Sequence, residues 1–469
     1  MERPTVDVTK LVDGQKVGRF TVQLVLLSFV ILLTDGFDLL AASYSAPSLI
    51  SEWHVARADL GPVFSASPLG MIVGSPLLGL LGDAIGRRRV VILGAVLFGA
   101  VTLACAAATS IPELIVLRFV TGIGLGGMLP NITALNAEFA PKRLRATLVV
   151  IMFMGVTAGA ALPALVVAAH PGFAWQDLFV VGGAVPLALS VVLAFTLPES
   201  IKYLSLKNTP QAQAHIRAIV GRLRPDLRIA PDALYLSPEA ARTSKVRMGE
   251  LFRGGLLPIT LLLWLVFVIN LASNYFLYSW MPILFRSEDF PPSQAALTTA
   301  CYYVGGVMGG LSISRFIDRH GFVPVATFFA AGAVAVGCIG IPGIPHLAVA
   351  GLVLLGGFCV LGSQLGLNAA ASLIYPTAIR ATGTGWAYGV GRVGGIVGPM
   401  VGAWLIAINR TTAELFLASS LPLVVGALGS FALVRLCRRR FGADRLDDVA
   451  SPAVHQVPNH SLPNPRTGT

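Results

Sequence analysis

Charge is scarce in this chain. Asp, Glu, Lys and Arg make up 12% of its 469 residues, against roughly 25% in a typical soluble domain. With 55% of residues hydrophobic, a soluble enzyme, a nucleic-acid-binding domain and a disordered chain are all excluded. Cysteine is nearly as scarce. Cys105, Cys301, Cys338, Cys359 and Cys437 show no CxxC or metal-ligand spacing, and all but the last sit in apolar runs, where a thiol packs as a small hydrophobe. His54, His170, His320 and His346 are scattered over loops and segment ends. No Walker A signature is present. Neither ATP drive, a metal, a cofactor nor an embedded catalytic nucleophile is therefore expected, and the chain reads as a non-enzyme. The first twenty residues are polar and of mixed charge, unlike a cleavable signal peptide.

What the chain has is apolar length. Stretches able to cross a bilayer as helices of about 20 residues fall at 21–46, 59–82, 88–109, 111–139, 146–169 and 176–197. The second set falls at 256–285, 293–317, 322–341, 345–375, 381–408 and 412–436. The expected fold is an all-α membrane protein with twelve transmembrane helices in two six-helix halves. A segment 1–20 precedes the first half (21–197), a polar loop 198–255 joins it to the second (256–436), and a proline-rich tail, 437–469, reads as disordered. A helix-compatible stretch lies at 211–223 in the loop.

Lys and Arg set the orientation. Placing the N-terminus in the cytoplasm puts 29 of the 34 in cytoplasmic segments, leaving Arg57, Arg286 and Arg410 outside and Arg118 and Arg392 within spans. This bias obeys the positive-inside rule, so both termini are expected to be cytoplasmic. The net charge of +11 needs no nucleic-acid partner. The halves also repeat a device between their second and third spans: Gly79-Leu80-Leu81-Gly82-Asp83-Ala84-Ile85-Gly86-Arg87-Arg88-Arg89 and Ser314-Arg315-Phe316-Ile317-Asp318-Arg319-His320-Gly321. Duplicated bundles are a transporter architecture.

Asp35 and Asp38 are the acidic residues well inside the spans. Placing an ionisable group at mid-membrane costs roughly 2.5–3.5 kcal/mol on insertion scales. Their i, i+3 spacing puts both on one helix face, where two close carboxylates resist joint ionisation. Such a pair suits proton carriage, or it tethers span 1 to its neighbours by hydrogen bonds. Arg118 and Arg392, one in each half, are candidates to grip an anion bidentately, or to neutralise the two aspartates. Asn270, Asn274, Tyr275, Tyr278 and Trp280 in span 7, with Tyr302, Tyr303, Gln364, Asn368, Trp386 and Tyr388, offer an amide and aromatic lining for a ring. Each alone is more often a helix-packing or interfacial residue, and only the cluster carries weight.

The duplicated loop, Arg118-x-x-x-Gly122-x-Gly124 and the six-plus-six plan resemble the major facilitator superfamily over nearly all of 20–436. Further motifs are similar to those of its aromatic acid:proton symporter family. They are Asp35-Gly36-Phe37-Asp38 with Ala46-Pro47-Ser48-Leu49 after it, Gly124-Leu125-Gly126-Gly127-Met128-Leu129-Pro130-Asn131, Pro198-Glu199-Ser200 and Tyr375-Pro376-Thr377-Ala378-Ile379-Arg380-Ala381-Thr382-Gly383. Gly391-Arg392-Val393-Gly394-Gly395-Ile396-Val397-Gly398-Pro399 completes the match. Ala84 departs from the superfamily's loop arginine and leaves one gating ion pair in question. The resemblance implies a monomeric transporter of the bacterial inner membrane, importing a small aromatic carboxylate with protons by alternating access. Export of drugs or organic acids is the alternative.

By the same resemblance, Asp35, Asp38 and Arg118 couple protons. Arg392, Asn270, Asn274, Tyr278, Tyr302, Gln364, Asn368, Trp386 and Tyr388 contact substrate. Gly79, Asp83, Gly86, Arg87, Arg88, Glu138, Asp318, Arg319 and Arg380 gate, with Asp83 capping the start of span 11 when the cytoplasmic side is closed.

Overall fold

Among the described residues eleven helices are long and apolar enough to cross a bilayer, and a shorter apolar helix, Val323–Ile339, completes twelve crossings. The computed structural model describes residues 5–169, 174–207, 209–225, 233–236, 248–320, 322–375 and 379–441. The tail expected to be disordered lies outside them beyond Phe441, as does His170.

A short strand β1 (Thr5–Asp7) and helix α1 (Val8–Asp13) precede the first crossing. The first half contains α2 (Arg19–Trp53), α3 (Leu60–Ile85), α4 (Arg87–Cys105), α5 (Ile111–Phe139), α6 (Arg145–Ala169) and α7 (Trp175–Thr196). The connecting segment holds α8 (Ile201–Lys207), α9 (Pro210–Leu223) and β2 (Leu234–Leu236). The second half contains α10 (Leu257–Ser287), α11 (Pro292–His320), α12 (Val323–Ile339) and α13 (His346–Ile374), then α14 (Arg380–Gly391), α15 (Val393–Ala407) and α16 (Thr412–Phe441). The eleventh crossing is thus α14 and α15 in series, interrupted at Arg392.

Span boundaries move where local signals mislead. Pro47, which suggests an end, lies inside α2. The helix runs on to Trp53 and stops where His54 takes a left-handed conformation (φ 52°). α4 ends at Cys105, four residues before the expected boundary of 109. The helix expected at 211–223 is α9, begun by the Thr209 side chain accepting from the Ala212 amide. The pairing of β1 with β2 in parallel, Val6 opposite Tyr235, had no sequence signal.

The two halves repeat one packing scheme. In the first, α2 packs on α6, α3 on α5 and α4 on α7; the second pairs α10 with α14 and α15, α11 with α13 and α12 with α16. Glycine permits the closest of these approaches. A Cβ on Gly74 would strike the Ile123 backbone of α5, and one on Gly309 the Phe358 backbone of α13. Large apolar side chains such as Leu80, Val191, Phe195, Trp404 and Phe431 remain exposed, as surfaces facing lipid should.

Between the halves, α2 meets α10, α3 meets α15 and α6 meets α11. Twelve crossings return the chain to the end where it began, here termed the proximal end. Among the described residues hydrogen bonds join the halves at four places. Arg57 Nη1 donates to Ser287 Oγ (3.0 Å), Tyr44 Oη to the Ala296 carbonyl (3.3 Å) and Ser65 Oγ to the Ile396 carbonyl (3.0 Å). The fourth runs from Arg392 Nη1 to the Met71 carbonyl (3.2 Å). Phe64 packs edge-on against Trp280 at 5.3 Å. All of these lie in the distal part of the bundle or at its middle. At the proximal end, a Cβ added to Gly79, Gly385 or Gly389 would meet nothing within 4 Å. The bundle is closed distally and open proximally.

Candidate functional site

The centre of the first half holds a buried ion pair. Asp38, with 0% exposure, accepts at Oδ1 from Arg118 Nη1 (2.7 Å) and Thr102 Oγ1 (3.4 Å). Arg118 Nη2 also reaches the Asp38 carbonyl at 3.4 Å. A charge at this depth is tolerable only when paired, yet Asp38 Oδ2 and Arg118 Nε find no partner. Asp35, one turn earlier on α2, is in a different position. It is 8% exposed and, among the described residues, makes no side-chain hydrogen bond or ion pair. The spacing correctly puts both carboxylates on one face, and Arg118 engages only one of them.

Arg392 stands opposite Asp35 at the interruption between α14 and α15. There the chain tightens, with the Gly395 amide donating to the Arg392 carbonyl at 2.9 Å. The guanidinium donates to the Met71 carbonyl on α3 of the other half. Both Arg392 and Asp38 act electrostatically on Asp35, and Tyr275 lies in the fields of Arg392, Asp35 and Arg118. Seven-residue spacing puts Gly385, Tyr388 and Arg392 on one face of the eleventh crossing. Tyr388 is 40% exposed there and packs on Phe267. Trp386 has similar exposure, lies on the side of the crossing that carries the exposed Val393, Val397 and Trp404, and stacks on Trp264.

The second half answers with a neutral network. Asn274 Nδ2 donates to Asn270 Oδ1 (2.9 Å), while Asn274 Oδ1 accepts from Tyr302 Oη (2.7 Å) and Tyr278 Oη (3.2 Å). Asn270 Nδ2 in turn donates to the Val360 carbonyl (3.1 Å), binding α10 to α13. Both amides are fully buried. Tyr278, Tyr302 and Tyr303 contact one another through their rings, and the Tyr303 hydroxyl has no partner. Gln364 donates to Asn368 at 3.0 Å, leaving Gln364 Oε1 unpaired.

At the proximal end of the first half a polar knot joins three connections. Gly86 turns α3 into α4 with φ of 106°, and a Cβ there would run into the Glu199 carboxylate. Arg87 pairs with Glu138 at the end of α5 and lies 3.7 Å from Asp83. Glu138 Oε2 accepts from Ser200 Oγ (2.6 Å), and Glu199 Oε1 from the Arg88 and Ser200 amides (3.2 and 2.8 Å). Arg88 donates to the Ala194 carbonyl. Glu199 and Ser200, in the Pro198-Glu199-Ser200 motif, lie at the centre of this knot. The Asp83 side chain is 73% exposed and caps no helix in this proximally open state. In the second half Arg380 Nε donates to the Tyr375 carbonyl (3.4 Å). The side chains of Asp318 and Arg319 fall outside the described residues. Met71 was not foreseen because it contributes a backbone carbonyl, which carries no residue-type signal.

A family model described as Major Facilitator Superfamily matches residues 24–290 and 263–451. The chain belongs to the major facilitator superfamily. It is therefore a membrane transporter rather than an enzyme, a multi-pass protein of the bacterial inner membrane. A 4-hydroxybenzoate transporter, PcaK, of Pseudomonas aeruginosa is 35% identical over 421 residues, 89% of this chain and 93% of the relative. A gallate transporter of Pseudomonas putida is 33% identical over 91% of this chain and 95% of its own. Among solved structures, the xylose transporter XylE of Escherichia coli in a partially occluded inward-open conformation superimposes with a TM-score of 0.68. That match has 18% identity and covers 88% of this chain and 98% of the other.

Proposed function

We propose that the chain imports small aromatic carboxylates together with protons by alternating access, working as a monomer with both termini in the cytoplasm. The substrate class is supported by relatives named for 4-hydroxybenzoate and gallate transport. One observation supports the coupling: among the described residues Asp35 has no ion-pair or hydrogen-bond partner and lies in the field of Arg392, while its neighbour Asp38 is committed to Arg118. A carboxyl group free of partners can take up and release a proton, and a guanidinium beside it can hold a substrate carboxylate with two parallel bonds. In this reading Asp35 carries the proton, Asp38 and Arg118 fix its surroundings, and Arg392 reads the anion. Tyr388 lines the route, with the Asn270, Asn274, Tyr278 and Tyr302 network, Gln364 and Asn368 framing the ring. The knot of Gly86, Arg87, Arg88 and Glu138, with Gly79, Asp83, Asp318, Arg319 and Arg380, would form the cytoplasmic gate.

The experiment is uptake of labelled 4-hydroxybenzoate into proteoliposomes under an imposed inward proton gradient. Concentrative uptake should collapse when a protonophore is added. Uptake unchanged by the protonophore would exclude proton coupling, and loss of preloaded substrate down the same gradient would indicate export.

A further inference from the structure

Among the described residues Arg392 is the charged group that spans the two halves at mid-membrane, and its partner is a backbone carbonyl rather than a carboxylate. The Met71 carbonyl lies midway along α3, and among the described residues this contact is the most proximal of the places where hydrogen bonds join the halves. It therefore sits where the closed distal part meets the open cavity. Around it the halves fit tightly: Gly395 lies against Pro68, and a Cβ on Gly61 would run into Ala403. The guanidinium is also within the field of Asp35, with which it makes no ion pair.

We propose that the Arg392–Met71 contact is a latch holding the distal side shut, released when a carboxylate, either the substrate's or that of ionised Asp35, takes the guanidinium. The chemistry favours the exchange, because a guanidinium bonds a carboxylate more strongly than a neutral carbonyl. Substrate bound at Arg392 withdraws it from α3, so the loaded carrier can reopen distally. In the empty carrier, a proton lost from Asp35 leaves a carboxylate that does the same. The state with Asp35 protonated and no substrate has neither competitor and stays latched. That state is the one whose reorientation would leak protons, so the latch would block that leak. Asp35 faces Asp38 on its own helix, Arg118 on α5, Tyr275 on α10 and Arg392 between α14 and α15. The mid-membrane stretches of α6 and α7 bring it no titratable group. This inference rests on the proposed substrate class for its ligand arm and is independent of it in its other two.

The test reads distal closure by pulsed-EPR distances between spin labels at Ala56→Cys and Glu288→Cys, beside the Arg57–Ser287 contact. The full-length chain is placed in nanodiscs with Cys301 and Cys338 replaced by serine. At mildly acidic pH without ligand the short distance should dominate. Saturating 4-hydroxybenzoate should lower the closed-to-open ratio about tenfold, the scale of one charge-assisted hydrogen bond, and the neutral 4-hydroxybenzamide should not. Arg392→Ala should start open and ignore the acid. Raising the pH without ligand should open the wild type and leave Asp35→Asn closed. If 4-hydroxybenzoate binds by tryptophan fluorescence but leaves the distances unchanged, the latch is refuted. It is equally refuted if pH has no effect on the wild type, or if folded Arg392→Ala stays as closed as the wild type. Failure of the acid to bind at all would overturn the substrate reading while the pH and Arg392→Ala arms still decide the latch.

Discussion

The two halves share a packing scheme and differ in what they bury at mid-membrane. The first half encloses an ion pair, Asp38 with Arg118, with both side chains 3% exposed or less. The second encloses amides and phenols that satisfy one another around Asn274. A buried charge needs its partner far more than a buried amide does, because desolvating an ion costs several kcal/mol and an orphaned neutral group about 1–3. The duplicated fold therefore carries two kinds of polarity, a charged centre beside Asp35 and a neutral one around Asn274. Arg392 is the charge the second half contributes at this depth, and it is also the one that reaches across.

The sharpest way to break this comparison is to remove one ion. Arg118→Ala should destabilise the protein by about 3–5 kcal/mol, since Asp38 would keep a buried charge without compensation. Chemical or thermal unfolding in detergent measures it. The double variant Asp38→Asn with Arg118→Gln should cost clearly less than the sum of the two single changes. Additive single changes of under about 1 kcal/mol would show that the pair is not what holds the first half.

Asn274→Ala comes next, at about 1–3 kcal/mol, because it leaves the Tyr278 and Tyr302 hydroxyls without an acceptor. Tyr302→Phe removes one donor and leaves Asn274 Oδ1 its bond from Tyr278, so it should cost less than Asn274→Ala. Equal losses in the two variants would mean that the network acts through ring packing and not through its hydrogen bonds.

A smaller effect separates the two aromatic residues of α14. Tyr388→Ala should weaken 4-hydroxybenzoate binding by up to about tenfold, the scale of one aromatic contact. Trp386→Ala, on the side of the crossing shared with the exposed Val393, Val397 and Trp404, should leave affinity within about twofold. Equilibrium binding in detergent compares them, and a larger loss for Trp386→Ala would reverse the assignment of faces.

This pair of residues shows where the sequence stops being readable. Both aromatics were expected at the substrate, because a bilayer and an aromatic cavity accept the same side chains. Only the neighbouring helices decide which face is which. The spans, their six-and-six division and the intramembrane charges were legible, since apolar length and isolated ions are strong local signals. Partnership was not. Spacing put Asp35 and Asp38 on one face, but their separation into a paired and an unpaired carboxylate depends on Arg118, 80 residues from Asp38. The three-residue strands β1 and β2, with Val6 paired opposite Tyr235, carry too little pattern to announce themselves. Among the described residues no contact joins Asp83 to the start of the eleventh crossing. In the proposed cycle that contact would form when the proximal end closes, and this bundle is open there.

Asp83 accordingly gives the smallest expected effect on stability and the clearest one on motion. Its side chain is largely exposed and its nearest cation, Arg87, is already engaged by Glu138, so Asp83→Asn should leave the unfolding midpoint unchanged, as for most isolated surface ion pairs. Binding of 4-hydroxybenzoate should also be unaffected, because the residue lies far along α3 from Met71. Transport should slow several-fold, since proximal closure would lose the carboxylate that a helix N-terminus prefers. Glu199→Gln provides the contrast within the same knot. Its carboxylate accepts from the Arg88 and Ser200 amides in the open state, so that variant should lower stability as well as rate. Measured side by side, a rate defect without a stability defect in Asp83→Asn marks a contact made only in the other conformation. If Asp83→Asn instead destabilises the protein as much as Glu199→Gln, Asp83 is part of the static knot and the gate must be sought among the other residues of the α3–α4 turn.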